Sequence, residues 1–214
     1  MEKDPFAGLA EAYEAWYETP LGAFAVAEEE RALKGLLPFG ESLLEVGAGT
    51  GYWLKRLPYP RRVAVEPSPD MLRVGRARVP EAEWVAARGE ALPLPAGAFD
   101  VVLLFTTLEF VEDVEKVLTE ARRVLRPGGR LVVGILEALS PWAALYRRLG
   151  EEGVRPWKEA RFLTREDLRR LLGPPEAEAG AVFLAPEAQP PFPEADRAGQ
   201  RAGNRPALYL GRWR

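Results

Sequence analysis

The sequence contains no cysteine and no histidine, and this absence excludes several kinds of site. Disulfides, zinc sites built on cysteine or histidine, thiol nucleophiles and histidine general bases all need one of these residues. No apolar run approaches the roughly 18 residues that a membrane-spanning helix needs. Basic and acidic residues nearly balance, with 29 of the first and 32 of the second. We therefore expect no general attraction to nucleic acid or to anionic lipid.

The composition is that of an ordinary globular protein. The chain has 214 residues, of which 47% are hydrophobic and 29% charged, which favours one domain with a modest addition. The N-terminal residues Met1–Pro5 do not resemble a secretion signal, so we expect a cytoplasmic protein. Asparagine, glutamine and methionine are scarce and proline is abundant. This bias is typical of thermophile proteins, although a GC-rich genome also favours it.

Residues 38–136 alternate between apolar strand patterns and helical patterns. The predicted strands are Ser42–Val46, Arg62–Glu66, Glu83–Ala87, Phe99–Phe105 and Leu131–Leu136. The predicted helices between them are Thr50–Leu57, a helix opening at Ser68 and Pro69, and Val111–Leu125. Such alternation predicts an α/β fold with a parallel sheet covered by helices on both faces. Sheets of this kind bind ligands at the carboxyl ends of their strands.

The two ends of the chain are less regular. Apolar spacing predicts a helix around Tyr13 and Tyr17 and a second from Phe24 to Leu37. A capping box at Thr164 predicts another helix. The remaining segments are predicted as an irregular aromatic region at 137–163, a strand at 181–185, a long loop at 186–203 and a last strand at 207–213.

Three glycines, Gly47, Gly49 and Gly51, follow the first predicted strand. Glycine lets the backbone turn tightly and approach a ligand closely. Glu66 ends the second predicted strand, where a carboxylate can hold the ribose hydroxyls of a nucleoside. A dinucleotide-binding motif would place its third glycine at position 52, which is Tyr52. The spacing therefore disfavours a nicotinamide-dependent oxidoreductase.

With these motifs, the chain resembles the class I S-adenosylmethionine-dependent methyltransferases, in the small-molecule branch that includes ubiquinone/menaquinone methyltransferase-like enzymes. The resemblance covers about residues 40–136. It is carried by the four segments Glu45–Gly51, Ala64–Ser68, Gly89–Asp100 and Arg123–Arg130. It implies S-adenosylmethionine as cofactor and a Rossmann-like, doubly wound, seven-stranded and mostly parallel sheet whose last strand is antiparallel.

The resemblance also implies contacts to each part of the cofactor. The methionine part would be contacted by Gly47, Ala48, Gly49, Gly51, Phe105 and Thr106. The nucleoside would be contacted by Glu66 at the ribose and by Pro67, Met71, Gly89, Glu90 and Ala91 at the adenine. An aromatic lid would be formed by Tyr13 and Tyr17, with Trp53 nearby. Position 88 is commonly aspartate in relatives, so Arg88 removes one expected contact to the adenine amino group.

A single methyltransferase domain over residues 1–214 is expected, with an N-terminal helical lid at 1–37 and a cofactor-binding core at 38–136. A cap at 137–163 and a C-terminal part at 164–214 complete it. Trp142, Tyr146 and Trp157 in the cap either line a substrate pocket or pack the cap onto the sheet.

Four acidic residues have both a structural and a functional interpretation. Glu45 either ties the glycine loop or lies near the cofactor. Asp100, at the start of a buried strand, is expected to be structural. Glu109 and Asp113 are either a general base or a solvated helix start that suits the helix dipole.

The absences also narrow the reaction. Without cysteine or histidine, covalent pyrimidine methylation and histidine-assisted phenol methylation are closed, and no metal site is predicted. The sequence therefore predicts methyl transfer to O, N or C of a small molecule, with the acceptor, the catalytic residues and the oligomeric state open. The alternative is a non-catalytic protein that binds S-adenosylmethionine or S-adenosylhomocysteine.

Overall fold

The computed structural model describes residues 4–214, and its centre is a seven-stranded sheet. The strands are β1 (Ser42–Val46), β2 (Arg61–Val65), β3 (Glu83–Val85), β4 (Phe99–Phe105), β5 (Leu125–Leu136), β6 (Ala177–Ala181) and β7 (Leu208–Trp213). Their order across the sheet is β3-β2-β1-β4-β5-β7-β6. Strands β1 to β5 pair in parallel, whereas β7 is antiparallel to both β5 and β6. The predicted mostly parallel sheet with an antiparallel last strand is confirmed.

Seven α-helices surround this sheet in the described part of the chain. They are α1 (Ala10–Tyr17), α2 (Pro20–Leu36), α3 (Pro69–Arg78), α4 (Val114–Val124), α5 (Pro141–Glu151), α6 (Arg165–Leu172) and α7 (Phe192–Arg201). Successive strand residues point to opposite faces, so Leu43 and Leu103 enter one core while Leu44 and Leu104 enter the other. Both faces are therefore buried, as the continuous apolar strands require.

The predicted helix Thr50–Leu57 is wrong, because this segment forms turns and one short 3₁₀ helix at Leu54–Arg56. Gly49 and Gly51 have φ angles of +55° and +71°, outside the helical region. Pro58 disfavours a helical conformation at the residue before it. Too few residues remain between these points for a stable α-helix.

The C-terminal prediction also needs correction. The irregular region contains α5, the predicted loop contains α7, and β6 ends where the predicted strand 181–185 begins. Apolar periodicity does not predict helix α7, because its buried positions are Asp196 and Gly199. The Asp196 carboxylate accepts a 3.0 Å hydrogen bond from the Leu184 amide, and the partly buried Phe192 and Ala195 pack against the core.

Several boundaries differ from the predictions by a few residues. Helix α2 begins at Pro20 with Thr19 as its N-cap, and α4 begins at Val114 with Asp113 as its N-cap. The capping box of Thr164 and Asp167 is confirmed. The segment 126–129 belongs to β5, where the register with β4 shifts and no separate turn forms.

Within residues 4–214, no helix has the length and apolarity needed to cross a membrane. The same residues contain no group of three acidic side chains placed to hold a metal ion.

Candidate cofactor-binding site

A cavity of about 780 Å³ lies where β1, β2 and β4 end. This volume falls in the range of about 300–1,000 Å³ that small-molecule sites occupy. Its wall combines the glycine loop after β1, the acidic end of β2 and the segment after β4 with residues of α1 and of the chain before it. The cavity therefore occupies the edge of the sheet at which a parallel α/β fold binds ligands.

The glycine loop is anchored to β2 and open toward the cavity. The amides of Gly47 and Ala48 donate hydrogen bonds of 2.8 and 3.1 Å to the Val65 carbonyl. A Cβ at Gly47 would lie 2.5 Å from Thr107 Cγ2, whereas a Cβ at Gly49 would meet no atom within 4 Å. Gly47 is thus required for packing, and Gly49 leaves free space beside the backbone for a ligand.

Glu66 is buried at the end of β2 and lines the cavity. Its two carboxylate oxygens accept hydrogen bonds of 2.7 Å from the Gly49 amide and 2.8 Å from the Ser68 amide. Burial raises the pKa of Glu66 to about 7, although these two hydrogen bonds lower it. Ser68 is the N-cap residue of α3, but its hydroxyl bonds to Asp4 and not to the helix backbone.

Glu45 is also buried in the cavity wall. Its Oε2 atom has no hydrogen-bond partner among residues 4–214. Burial raises the pKa of Glu45 to about 8, and the charge of Glu66 adds to this rise. A buried carboxylate oxygen without a partner is costly, and this one adjoins ligand space.

The end of β4 contributes a strained residue and an aromatic pair. Thr106 has a φ of +49°, a conformation that a β-branched residue rarely adopts. Its amide donates a 2.8 Å hydrogen bond to the Gly134 carbonyl, which helps to hold the turn. The ring centroids of Phe105 and Trp53 lie 4.6 Å apart. These two residues and Thr106 line the cavity.

The two tyrosines predicted to form an aromatic lid reach the cavity. Tyr13 and Tyr17 of α1 line the cavity, and the Tyr17 ring stacks on Tyr52 with centroids 3.8 Å apart. Residues 4–8 form a strap that sequence reasoning did not identify. The Gly8 amide donates to Asp70, and the ring of Phe6 lies 4.8 Å from that of Phe110. No periodicity marks this strap in the sequence, because its contacts join distant segments.

Four of the five residues predicted to contact adenine line the cavity. Pro67, Met71, Gly89 and Glu90 line the cavity, but Ala91 is exposed and lies outside the wall. The Glu90 carboxylate accepts a 2.9 Å hydrogen bond from the Glu112 amide. Gly51 also lies outside the wall.

Gly51 lies against the Trp84 ring, where a Cβ would approach to 3.0 Å. A packing role therefore accounts for this third glycine.

The three candidate substrate residues are not in the cavity wall. Trp142 is buried, and its indole nitrogen donates a 2.9 Å hydrogen bond to the Leu184 carbonyl. Tyr146 stacks on Trp157 with centroids 3.8 Å apart. Trp142 thus packs α5 onto the sheet, while the other two form a neighbouring aromatic cluster. The cavity residues that the sequence reasoning missed include Glu159 and Arg161, on the loop after α5.

The remaining acidic candidates have structural positions. Asp100 accepts hydrogen bonds of 2.7 and 2.8 Å from the amides of Glu41 and Ser42, at the opposite edge of the sheet from the cavity. Asp113 caps α4. Glu109 is fully buried and accepts a 2.6 Å hydrogen bond from the Leu136 amide. Burial raises the pKa of Glu109 to about 7, but this side chain does not line the cavity.

Comparison with known proteins agrees with this geometry. The family model described as a methyltransferase domain matches residues 44–133. A solved S-adenosylmethionine-dependent methyltransferase of Thermotoga maritima, described as a possible histamine N-methyltransferase, is 30% identical, covers 97% of both chains and superposes with a TM-score of 0.79. A demethylmenaquinone methyltransferase of Renibacterium salmoninarum is 39% identical over 103 residues, which are 46% of this chain and 42% of that protein.

An uncharacterized protein of Mycobacterium tuberculosis is 40% identical over 165 residues, which cover 76% of this chain. The chain spans only 56% of that relative's length. The match to the Thermotoga maritima structure extends over the whole chain at 30% identity. The chain therefore belongs to the class I S-adenosylmethionine-dependent methyltransferases, with a Rossmann-like fold.

The cofactor of this class is S-adenosylmethionine, and the residues present fit it. The open space beside Gly49 admits a close backbone contact. The buried carboxylate of Glu66 suits a pair of hydroxyls, and the unpartnered oxygen of Glu45 suits a ligand ammonium group.

Proposed function

We propose that this chain transfers the methyl group of S-adenosylmethionine to O, N or C of a small molecule. The observation that carries the proposal is the joining of the glycine loop to the acidic end of β2, through Gly49 and Glu66, inside a cavity large enough for a ligand. The family membership supports the same reaction class. The wall also carries two buried acids, Glu45 and Glu66, which suit polar groups of a ligand.

In this proposal the site residues contact different parts of the cofactor. S-adenosylmethionine supplies a methyl group already activated by a positive sulfur. Glu66 holds the ribose, Glu45 and the glycine loop hold the amino-acid part, and Gly89 lies at the adenine. Phe105 and Trp53 exclude water from the reacting end, so proximity and alignment make up most of the catalysis.

No dedicated proton-transfer pair is needed for such a transfer. A general base is required only when the acceptor must lose a proton to become nucleophilic. Among the described residues, Glu109 and Asp113 are engaged by the backbone away from the cavity. We therefore assign neither residue a catalytic role.

The acceptor is a small molecule that enters beside the lid, and we propose that the chain acts as one domain. One relative is described as a possible histamine N-methyltransferase and another as a demethylmenaquinone methyltransferase. Both acceptors are small molecules, which supports this substrate class and leaves nitrogen and carbon within the proposal. We also propose that nucleic acid is not the acceptor, given the net charge of −3.

The second candidate is a non-catalytic protein that binds S-adenosylmethionine or S-adenosylhomocysteine. The same cavity and the same Glu66 serve both functions, so only turnover separates them. The direct test is calorimetric titration of the protein with S-adenosylmethionine, S-adenosylhomocysteine and NAD.

Binding of the first two ligands, lost in Glu66→Ala, is the expected result. Release of S-adenosylhomocysteine in the presence of an acceptor panel would then establish transfer. A preference for NAD, or no binding of either sulfur ligand, would contradict the proposal.

A further inference from the structure

Part of the cavity wall comes from outside the segment that matches the methyltransferase family model. That segment, residues 44–133, contains the glycine loop, the acidic end of β2 and the end of β4. The other wall residues lie in the strap, in α1 and on the loop after α5. Because a cofactor common to the family is bound by the shared segment, this outer part of the wall is available to the acceptor.

The loop after α5 brings two opposite charges into the outer part of the wall, since Glu159 and Arg161 both line the cavity. The strap contributes one further acid, Asp4. Its carboxylate accepts hydrogen bonds of 2.7 Å from the Ser68 hydroxyl and 2.9 Å from the Phe6 amide. Asp4 is therefore already engaged within the protein.

Neither Glu159 nor Arg161 has a side-chain partner among residues 4–214. The Oε2 atom of Glu159 is buried without a hydrogen bond, and the Arg161 guanidinium forms no ion pair, either with Glu159 or with another described residue. By contrast, Arg88, which is also basic and in the wall, pairs with Glu112 at 3.1 Å. Because a buried carboxylate oxygen without a partner is costly, a ligand that brings a positive donor is favoured at Glu159.

Backbone and ring contacts join this loop to the segment after β4. The Arg161 amide donates a 2.8 Å hydrogen bond to the Glu109 carbonyl, and the ring of Trp157 lies 6.3 Å from that of Phe110. The same segment begins just after Phe105, which adjoins the reacting end in the proposed function. The two charges of the loop therefore lie on the wall that continues from the reacting end.

One small ligand can contact both charges and an apolar surface. The Cα atoms of Glu159 and Arg161 are two positions apart and thus at most about 7 Å from each other. The rings of Phe6, Tyr13 and Phe110 line the same cavity. The Phe6 ring centroid lies 4.8 Å from that of Phe110 and 6.4 Å from that of Tyr13. The cavity thus combines an aromatic surface with one acid and one base.

We propose that Glu159 and Arg161 bind the methyl acceptor, and that this acceptor is a zwitterion of the amino-acid class. Glu159 binds its ammonium group, Arg161 binds its anionic group, and the rings of Phe6 and Phe110 contact its apolar stem. The inference rests on the proposed function, because it names the substrate class of the same site. The arginine disfavours a purely cationic ligand, and the glutamate disfavours a purely anionic one.

The experiment uses the full chain saturated with S-adenosylhomocysteine and measures binding by calorimetric titration. Phenylalanine is compared with 2-phenylethylamine, which lacks the carboxylate, and with 3-phenylpropanoate, which lacks the ammonium group. Leucine, 3-methylbutylamine and 4-methylpentanoate form a second series with a smaller apolar stem. We expect at least one of the two amino acids to bind more than about tenfold tighter than both of its single-charge analogues.

Two variants test the two charges separately. In Glu159→Gln the amino acid should lose its advantage over the carboxylate analogue and keep its advantage over the amine, because only the partner of the ammonium group is removed. Arg161→Gln should show the reverse pattern. A role in packing alone would weaken all three ligands of a series together, so the crossed pattern identifies direct recognition.

Glu152→Gln and Lys158→Gln are the matched controls, because both residues are exposed on the same loop and lie outside the cavity wall. Both controls should keep the ligand preference of the wild type. All four variants should also keep the affinity of the wild type for S-adenosylhomocysteine, which shows that they are folded.

The outcomes separate the two proposals. If the wild type does not bind S-adenosylhomocysteine, the proposed function fails and the inference fails with it. If it binds this ligand but neither amino acid, or binds both amino acids no tighter than their analogues, only the inference is overturned. A preference that is unchanged in Glu159→Gln or in Arg161→Gln overturns the assignment of that residue. A loss of S-adenosylhomocysteine affinity in either variant assigns that residue to the cofactor and likewise overturns the inference.

Discussion

The carboxylate of Glu66 accepts a 2.7 Å hydrogen bond from the amide of Gly49, 17 positions earlier in the chain. The bond joins the end of β2 to the glycine loop after β1. Because a second bond from Ser68 holds the other oxygen, the acid and the loop keep one relative position before any cofactor arrives. Such preorganisation reduces the entropy that binding must overcome.

Replacement of Glu66 by glutamine should weaken cofactor binding without unfolding the protein. The amide group of glutamine offers one acceptor oxygen, so a charge-assisted hydrogen bond of about 1.5–3 kcal/mol is lost. We expect the affinity for S-adenosylhomocysteine to fall by about 10–100-fold in a calorimetric titration. Glu187→Gln, at an exposed position outside the cavity, should leave the affinity unchanged.

Alanine at Gly49 should affect binding more than stability. The φ of +55° costs about 1–2 kcal/mol for any residue with a Cβ, and this Cβ would project into ligand space. Gly128→Ala is the matched control, since Gly128 has a φ of +82°, no atom within 4 Å and no place in the cavity.

Urea unfolding should show a similar loss of stability for the alanine variants at positions 49 and 128. Titration with S-adenosylhomocysteine should show a loss of affinity only for Gly49→Ala. Equal affinities for the two variants would contradict the placement of Gly49 beside the cofactor.

An alanine variant is usually more stable than a glycine variant, and the strained backbone at Thr106 should reverse this order of stability. At a φ of +49° glycine avoids the Cβ clash, so Thr106→Gly should be about 1 kcal/mol more stable than Thr106→Ala. At Thr119, an exposed position inside α4, the helix favours alanine over glycine by about 1 kcal/mol. Urea unfolding of the four variants measures this crossed pattern, and the same order at both positions would contradict it.

The free energy of unfolding should fall as the pH rises from about 5 to about 8. Glu45, Glu66 and Glu109 have pKa values raised by burial to about 8, 7 and 7. The folded protein retains these protons in this range while the unfolded chain has released them, so each group weakens the fold by up to about 1.4 kcal/mol per pH unit. Above pH 8 this effect is complete.

Denaturation at pH 5, 6.5 and 8 tests this dependence, and no histidine titrates in the window. Carboxyl groups with lowered pKa values, such as Asp100 and Asp167, lose their stabilising effect only at lower pH. Glu45→Gln should show a shallower decline than the wild type and Glu11→Gln the same decline. An equal slope in Glu45→Gln would show that Glu45 is ionised in the folded state.

Much of the fold could be predicted from local patterns. Strands β1 and β4 have the predicted ends, because continuous apolar runs bounded by polar residues mark strands buried on both faces. The capping box at Thr164 depends on residues only three positions apart. By contrast, α7 was missed because its buried positions, Asp196 and Gly199, carry no apolar signal.

Local patterns likewise predicted part of the candidate site and missed the rest. The glycine spacing and the acid at Glu66 were enough to place the cavity at the ends of β1 and β2. The strap was not predictable, since its contact between Asp4 and Ser68 joins residues 64 positions apart. The candidate substrate residues Trp142 and Trp157 could not be distinguished from packing residues without the neighbours that bury them.

The sequence by itself indicated the class of this protein, the order of β1 to β5 along the chain, and the glycine loop and the acid that follow β1 and β2. The strand order and the glycine spacing depend on periodicity, which acts along the chain, whereas the class was indicated by the resemblance of four local segments to a known family. Only the tertiary structure decided which acids keep a buried oxygen without a hydrogen-bond partner, as Glu45, Glu109 and Glu159 do. The absence of a partner depends on every segment that packs around a group, and those segments meet only in the folded molecule.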